Sequence, residues 1–252
     1  MVKMISEIQK LQKKILELSI NKQFSTDNIK INYENTFFRC SGGNDIVLPD
    51  LNKKLVENFS IEGLNNRVLF MDGILKNAYG EIKGNNNCVL IKNNSNIGKL
   101  DFNIYGNDNN ITINSKCRIE NGKIMINGNG CRIFIGEETT IGDIILFAEN
   151  KSSIHIGKNC MFAQNIEIWS GDSHSIIDLK SKKRINLPKN IEIQDHVWLC
   201  RNVKILKGIT IGCNSIIGQS SVCTKSIPKN SVVAGNPAKI VKRNVTWKRE
   251  LI

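Results

Sequence analysis

The stretch Ile193–Cys223, IQDHVWLCRNVKILKGITIGCNSIIGQSSVC, decides the fold. An aliphatic residue or a stand-in recurs at every sixth position: Ile193, Leu199, Ile205, Ile211, Ile217 and Cys223. A smaller or β-branched set precedes it by two, at Val197, Val203, Ile209, Ser215 and Ser221, and Ile-Gly steps fall at Ile211-Gly212 and Ile217-Gly218. A period of six matches neither a helical turn nor a free-standing hairpin. It matches a β-helix, in which each hexad forms one short side of a coil and stacked coils share a narrow apolar core.

A longer period precedes this stretch. Gly63, Gly84, Gly106 and Gly128 lie 21 or 22 residues apart, and Asn150 continues the series. After each, an apolar pair returns: Val68/Phe70, Val89/Ile91, Ile111/Ile113, Ile133/Ile135 and, one residue out of step, Ile154/Ile156. The turns between them are Asn/Gly-rich, as at Gly84-Asn85-Asn86-Asn87, and these residues tolerate the left-handed backbone of tight corners. The chain therefore reads as all-β, one continuous solenoid over residues 63–252 with irregular coils first and regular coils of three hexads after them. Residues 1–62 read as a lead-in. Within them, Met4, Ile8, Leu11, Ile15 and Leu18 give the 4-3-4-3 spacing of a short helix over 1–21. The hexad rhythm fails between Ile168 and Ile191, which predicts an inserted loop over 169–190, and residues 228–252 read as a C-terminal tail. A loop thrown out of a rigid rod is where function is expected.

Composition narrows the partners. Lys plus Arg number 35 against 23 Asp plus Glu, a net charge of +12 that attracts polyanions or sits on a solvated basic face. Only 15 aromatic residues, no zinc-finger spacing and no long basic run argue against nucleic acid. The eight cysteines contain no Cys-x-x-Cys pair and several sit inside apolar repeats, so they read as small buried thiols of a reducing cytoplasm. No apolar signal core opens the chain and no run of 18 apolar residues occurs, so neither secretion nor stable membrane insertion is expected.

Four motifs carry a resemblance. Ser170-Gly171-Asp172-Ser173-His174-Ser175-Ile176, His196-Val197-Trp198, Ile217 to Lys225, and Ala234-Gly235-Asn236-Pro237-Ala238-Lys239 resemble the hexapeptide-repeat acyltransferases. The likeness extends to bacterial O-acetyltransferases of surface sugars, including those acting on capsular polysialic acid, in which the loop histidine precedes the Val-Trp tryptophan by the 24 residues seen here. It is strong over roughly residues 150–243 and weak before them. It implies a left-handed parallel β-helix, acetyl-CoA as co-substrate, no metal, and a homotrimer whose sites lie between rods. One departure stands out: where the family usually has Val-Trp-Ile-Gly, this chain has Val197-Trp198-Leu199-Cys200.

The candidate residues follow. Removing a proton from a sugar hydroxyl at neutral pH suits an imidazole. Of His155, His174 and His196, only His174 sits in the loop, free to reach a substrate. His155 alternates outward on a strand, and His196 falls at a coil corner as a structural hydrogen-bonder. Asp172 either orients the imidazole or makes a local turn bond. Trp198 precedes inward Leu199 and so points off the rod; a neighbouring subunit, CoA or a sugar face could cover it, and the resemblance implies that it lines the acceptor and thioester site. By motif position, Arg201, Gly218, Gln219, Thr224 and Lys225 would follow the pantetheine arm, and Lys239 and Lys242 would meet the nucleotide end. Lys180, Lys182, Lys183 and Arg184 suggest an acidic glycan acceptor. Direct attack needs no acyl-enzyme, so Cys200 is not read as a nucleophile.

The expected activity is O-acetylation of a bacterial surface glycan. The alternatives are acetylation of a free or nucleotide-activated sugar, and a non-catalytic glycan-binding solenoid. A zinc site of three histidines is disfavoured by their spacings of 19 and 22.

Overall fold

The computed structural model describes residues 30–33, 36–40, 44–47 and 56–252; the helix expected over 1–21 lies outside them. The long strands Gly73–Lys83, Ser95–Tyr105, Arg118–Asn127 and Thr140–Glu149 pair in parallel, each 22 residues from the last. Short strands Arg67–Phe70, Cys88–Ile91, Asn110–Ile113, Arg132–Ile135 and Ser153–Ile156 form a second parallel column at offsets of 21 or 22 residues. This is the solenoid that the Gly/Asn period predicts.

At Thr140–Glu149 the long strand divides into two columns. Thr140-Ile141 pairs with Met161–Phe162, while Ile144 to Phe147 pairs with Ile166–Trp169. Three columns continue from there. One holds Met161–Phe162, Trp198–Leu199, Ile216–Ile217 and Ser231–Ala234; the second Ile166–Trp169, Lys204–Ile205 and Val222–Cys223; the third Ser153–Ile156, Ile191–Ile193 and Thr210–Ile211. Trp198 pairs with Ile216, an 18-residue coil of three hexads. Met161 pairs with Trp198 across 37 residues, 19 more than the regular coil. The extra chain is the inserted loop, which leaves after Trp169 and returns by Ile191.

Parallel pairing also runs upstream of residue 63, where the solenoid was expected to begin. Asp45–Val47 pairs with Arg67 to Leu69, and Phe59 to Ile61 pairs with Gly80 to Ile82. The reason is an asparagine corner one coil earlier: Asn44 Oδ1 accepts the Asn66 N–H at 2.8 Å, and Asn44 Nδ2 donates to the Gly63 carbonyl at 3.1 Å.

Coil stacking builds the core. Val68, Val89, Ile111, Ile133, Ile154 and Ile191 follow one another inward down the short column and are fully buried. Each aliphatic side chain rests on its counterpart in the next coil, so contact is continuous along the rod.

The corners need left-handed backbone and buried hydrogen bonds. Asn94, Lys116, Glu138, Asn159, His196 and Asn214 occupy one corner column with φ between 51° and 61°. Gly63, Gly84 and Gly106 are required by space as well: a Cβ on each would stand 1.9–2.1 Å from the carbonyl oxygen of the glycine one coil on. Inside the same corner, buried Asn66, Asn87 and Asn109 form a ladder. Asn66 Oδ1 accepts the Asn87 N–H at 3.0 Å, Asn87 Oδ1 that of Asn109 at 3.1 Å, and Asn109 Oδ1 that of Cys131 at 2.8 Å.

A second ladder explains the cysteines. Ser95 Oγ, Cys117 Sγ, Thr139 Oγ1, Cys160 Sγ and Ser215 Oγ each donate to a backbone carbonyl, at 2.9–3.3 Å. Cys117 and Cys160 thus stand where Ser or Thr stands in neighbouring coils. Burial pushes their thiols up to about 12 and about 11, so they are inert un-ionised donors. Cys88, Cys117, Cys131, Cys160, Cys200, Cys213 and Cys223 are all free.

Candidate active site

The loop begins at Ser170 and closes on itself as a hairpin. Ile177 bridges Arg184, and Asp178 accepts from Ser181 N at 2.6 Å to turn the tip. Lys180, Lys182 and Lys183 are exposed at that tip. Arg184 is turned the other way. It donates through Nη2 to Oε1 of Glu149 at 2.7 Å, and the Glu149 side chain is only 7% exposed. The expectation that Arg184 faces an acceptor is therefore corrected: it neutralises a buried carboxylate that would otherwise be uncompensated.

Asn186 is the hub of the loop, a role that the spacing of motifs does not predict. It is 8% exposed. Its Nδ2 donates to Asp172 Oδ2 at 2.7 Å and to the His174 carbonyl at 2.8 Å; its Oδ1 accepts the Ile176 N–H at 2.7 Å and Arg184 Nε at 3.1 Å. The backbone on both sides of the His174–Ser175 segment is held by one buried amide. Ser173 N–H adds a bond to Glu149 Oε2 at 3.3 Å, and Gly171 has no room for a Cβ, which would stand 2.2 Å from that oxygen.

The Asp172 carboxylate binds Lys207 Nζ and Asn186, not the His174 ring. Burial raises its pKa, but the hydrogen bonds from Lys207 and Asn186 and the charge of Lys207 outweigh that and hold it below the usual carboxylate range. The carboxylate thus makes neither of the two contacts expected of it, a bond to the imidazole or one within its own turn. The local bond is a backbone one, with the His174 N–H donating to the Asp172 carbonyl at 2.7 Å. The His174 side chain is exposed, projecting from a segment tied at Glu149, Arg184, Asn186 and Lys207.

The other two histidines stand as expected. His155 stacks on Phe134 at 4.8 Å and meets Glu192 at 2.8 Å on the outer surface. His196 takes a corner at φ 56° with Nδ1 2.9 Å from Asn214 Oδ1. Trp198 points off the rod between Met161 and Ile216, and Trp247 of the tail lies beside it at 5.9 Å. Cys200 is half-buried, and burial raises its pKa, which disfavours the thiolate a nucleophile would need. Among the described residues no group of three or more His, Cys, Asp or Glu is placed to hold a metal.

The expected cofactor residues fall on two edges. Arg201, Gly218 and Gln219 follow the Trp198 and Ile216 strands at one corner, with a Cβ on Gly218 meeting Ala234 Cβ and the Val233 carbonyl at 3.1 Å. Thr224 and Lys225 follow Val222–Cys223 at the next corner, one coil beyond Leu206 and Lys207 in the same register. Lys239 and Lys242 lie exposed on the final strand, Lys239–Arg243, which reverses against Ser231–Ala234. Ala238 N–H bonds the Val222 carbonyl at 2.9 Å and so brings that strand to the Thr224 edge. Residues 200–252 hold ten Lys or Arg against the single Glu250, which makes this end of the rod strongly cationic. The loop tether at Lys207 shares the Thr224 edge, whereas Trp198 and Arg201 lie across the intervening column. The two sets of candidate residues thus stand on different edges of the rod.

Comparisons with known proteins bear on the fold and the family. No family profile matches the chain. The polysialic acid O-acetyltransferase of Neisseria meningitidis is 40% identical over 196 residues, 77% of this chain and 90% of that protein. The polysialic acid O-acetyltransferase of Escherichia coli O1:K1 is 39% identical over 133 residues, spanning 52% of this chain but only 43% of the relative. Among solved structures, the polySia-specific acetyltransferase NeuO superposes with a TM-score of 0.69 at 36% identity, covering 77% of this chain and 90% of its own. The polysialic acid O-acetyltransferase OatWY gives 0.67 at 35% identity, over 77% and 92%. The fold is thereby that of the left-handed parallel β-helix acetyltransferases. The chain belongs to the hexapeptide-repeat acyltransferase family, in the branch of the bacterial polysialic acid O-acetyltransferases.

Proposed function

We propose that this chain transfers the acetyl group of acetyl-CoA to a hydroxyl of an acidic bacterial surface glycan, polysialic acid being the acceptor its relatives favour. The observation that carries the reading is His174: an exposed imidazole on a loop whose backbone is fixed by a buried amide and two ion pairs. His174 takes the hydroxyl proton as the acceptor oxygen attacks the acetyl carbonyl carbon. It returns that proton to the departing thiol sulfur, so the products are the acetyl ester and CoA, and the imidazole is restored. The acetyl thioester, when bound, supplies the activated carbonyl. Lys239 and Lys242 suit its phosphates, Gly218 and Gln219 its arm, and Trp198 offers an aromatic wall beside it. Lys180, Lys182 and Lys183 draw an anionic polymer toward the loop.

The placement of the His174 loop and of Trp198 on different edges favours a homotrimer in which His174 of one copy meets Trp198 of the next. The loop also exposes Ile176, Ile177, Leu179, Ile185 and Leu187, an apolar surface that a second copy would cover. We assign the reaction to the cytoplasm, in keeping with the free thiols. Acetyl transfer is to be assayed on polysialic acid, its monomer and a neutral polymer; the expected order is polymer over monomer over neutral glycan, and no transfer to any sialylated acceptor would refute the assignment. Mixing inactive His174→Ala and Trp198→Ala chains should restore roughly a quarter of full activity if sites form between copies. A mixture as inactive as its parents would place both residues in one chain's site.

A further inference from the structure

Trp247 lies beyond the hexad repeat and outside every motif that carries the family resemblance, yet it is only 6% exposed. Its indole stacks on the His196 ring at 4.2 Å and 9°, and leans on Trp198 at 5.9 Å and 50°. Nε1 donates to the His196 carbonyl at 2.8 Å. The tail that delivers it is fastened on both sides. Upstream, Val245 N–H donates to the Asn230 carbonyl at 3.1 Å and Asn230 Nδ2 returns a bond to Val245 at 3.2 Å. Downstream, Arg249 lies 5.7 Å over the Trp247 ring and reaches back across the rod. It donates to Thr140 Oγ1 at 2.9 Å, the Cys160 carbonyl at 3.1 Å and Asn159 Oδ1 at 3.3 Å.

This strap crosses the outward face of the column Thr140, Met161, Trp198, Ile216. The rod's core lies beneath it, where inward Phe162, Leu199 and Ile217 are buried and alternate with the outward residues that the strap crosses. What the strap contacts is the exposed side: the Trp198 indole and the corner residue two places before it. An outward tryptophan on a two-residue strand would otherwise exchange rotamers. An aromatic neighbour hydrogen-bonded to the His196 backbone and clamped by a guanidinium restricts it to one.

We propose that Trp247 is a positioning residue for acetyl transfer, holding Trp198 in the orientation the site requires. The inference rests on the reading that Trp198 lines that site, and the experiment separates the two. Kinetics on polysialic acid, CoA affinity and melting temperature are to be measured for Trp247→Ala, Trp247→Phe, Arg249→Ala and Trp198→Ala. Trp247→Ala should lose about tenfold or more in kcat, with CoA affinity held within about threefold. Trp247→Phe, which keeps the stack, should recover most of the loss, and Arg249→Ala should fall between. Trp198 fluorescence is to be read in two chains that both carry Trp169→Phe, one with Trp247→Phe and the other with Trp247→Ala; the emission should differ between them. Full turnover in Trp247→Ala with Trp198→Ala inactive overturns the proposal. Full turnover in both sinks the role of Trp198 itself. If Trp247→Ala does not fold, Arg249→Ala decides, and unchanged turnover there overturns the proposal.

Discussion

The rod's two halves meet the same corner requirement with different side chains. From Gly63 to Gly128 the coils are 21 or 22 residues wide, and one corner column stacks identical residues, Gly on Gly and Asn on Asn, each amide bonded to the coil on either side. From Ile191 onward the coils shrink to 18 residues, held by aliphatic hexads without that asparagine ladder, and Ser215 continues the donor ladder that runs from Ser95 through Cys160. The wide half is locked by like-with-like partners, so any change of residue breaks bonds in two coils. The narrow half is locked by a period, which can be interrupted and resumed. Between Ile154 and Ile191 the register returns unaltered after the excursion. That is where the loop, and with it the proposed chemistry, could be inserted.

This contrast has a sharp test at Gly106. With φ at 131° and a Cβ due 2.1 Å from the Gly128 oxygen, Gly106→Val should cost more than about 4 kcal/mol in denaturant unfolding. A cost near zero would mean that the wide coils are not locked as described. The narrow half should answer in rate instead. Asn186→Ala should lower kcat about a hundredfold, because a displaced reacting group loses its near-attack geometry. Its melting temperature should move less than that of Gly106→Val; equal kcat to the parent chain would show that the loop needs no such hub. Replacing Lys180, Lys182 and Lys183 together with Ala should raise the KM for an anionic polymer a few-fold at low ionic strength, with the difference fading in high salt. A KM change equal for charged and neutral acceptors would exclude steering.

The smallest effect belongs to Asp172. Its folded pKa is depressed, so the Lys207 tether is fully present above the ordinary aspartate range and is lost as pH falls through the lowered folded value. The stability difference between the parent chain and Asp172→Asn should therefore be flat from neutral pH down to about pH 4 and shrink only below it. Its size should stay under about 1 kcal/mol, since the carboxylate is 40% exposed and screened. A difference that disappears already near pH 6 would contradict the assigned pairing.

Much of the fold was legible because a solenoid repeats its physics locally. Ile193, Leu199 and Ile205 announce the hexad, and Gly84 with Asn87 announces a corner. The first coils were legible in principle too, since Gly42, Asn44 and Ile46 continue the period that Gly63, Asn66 and Val68 display. The site was legible only where a motif named it. Trp198 and His196 took their expected orientations because alternation and corner position dictate them. The loop's interior did not yield, because its bonds join residues far apart: Glu149 to Arg184 and Asp172 to Lys207 each span 35 residues, and no period links them. A basic run therefore looked uniform although Arg184 faces inward and Lys180, Lys182 and Lys183 face outward. A buried glutamate closing the apolar run before Asn150 was the one available hint, since a charge in that place demands a partner.

The decisive experiment is acetyl transfer to polysialic acid by His174→Ala alongside the parent chain, with CoA binding measured on both by calorimetry. Turnover should fall by at least about a thousandfold while CoA affinity and melting temperature stay unchanged. Near-parental turnover in that variant would contradict the assignment of the loop imidazole as the base.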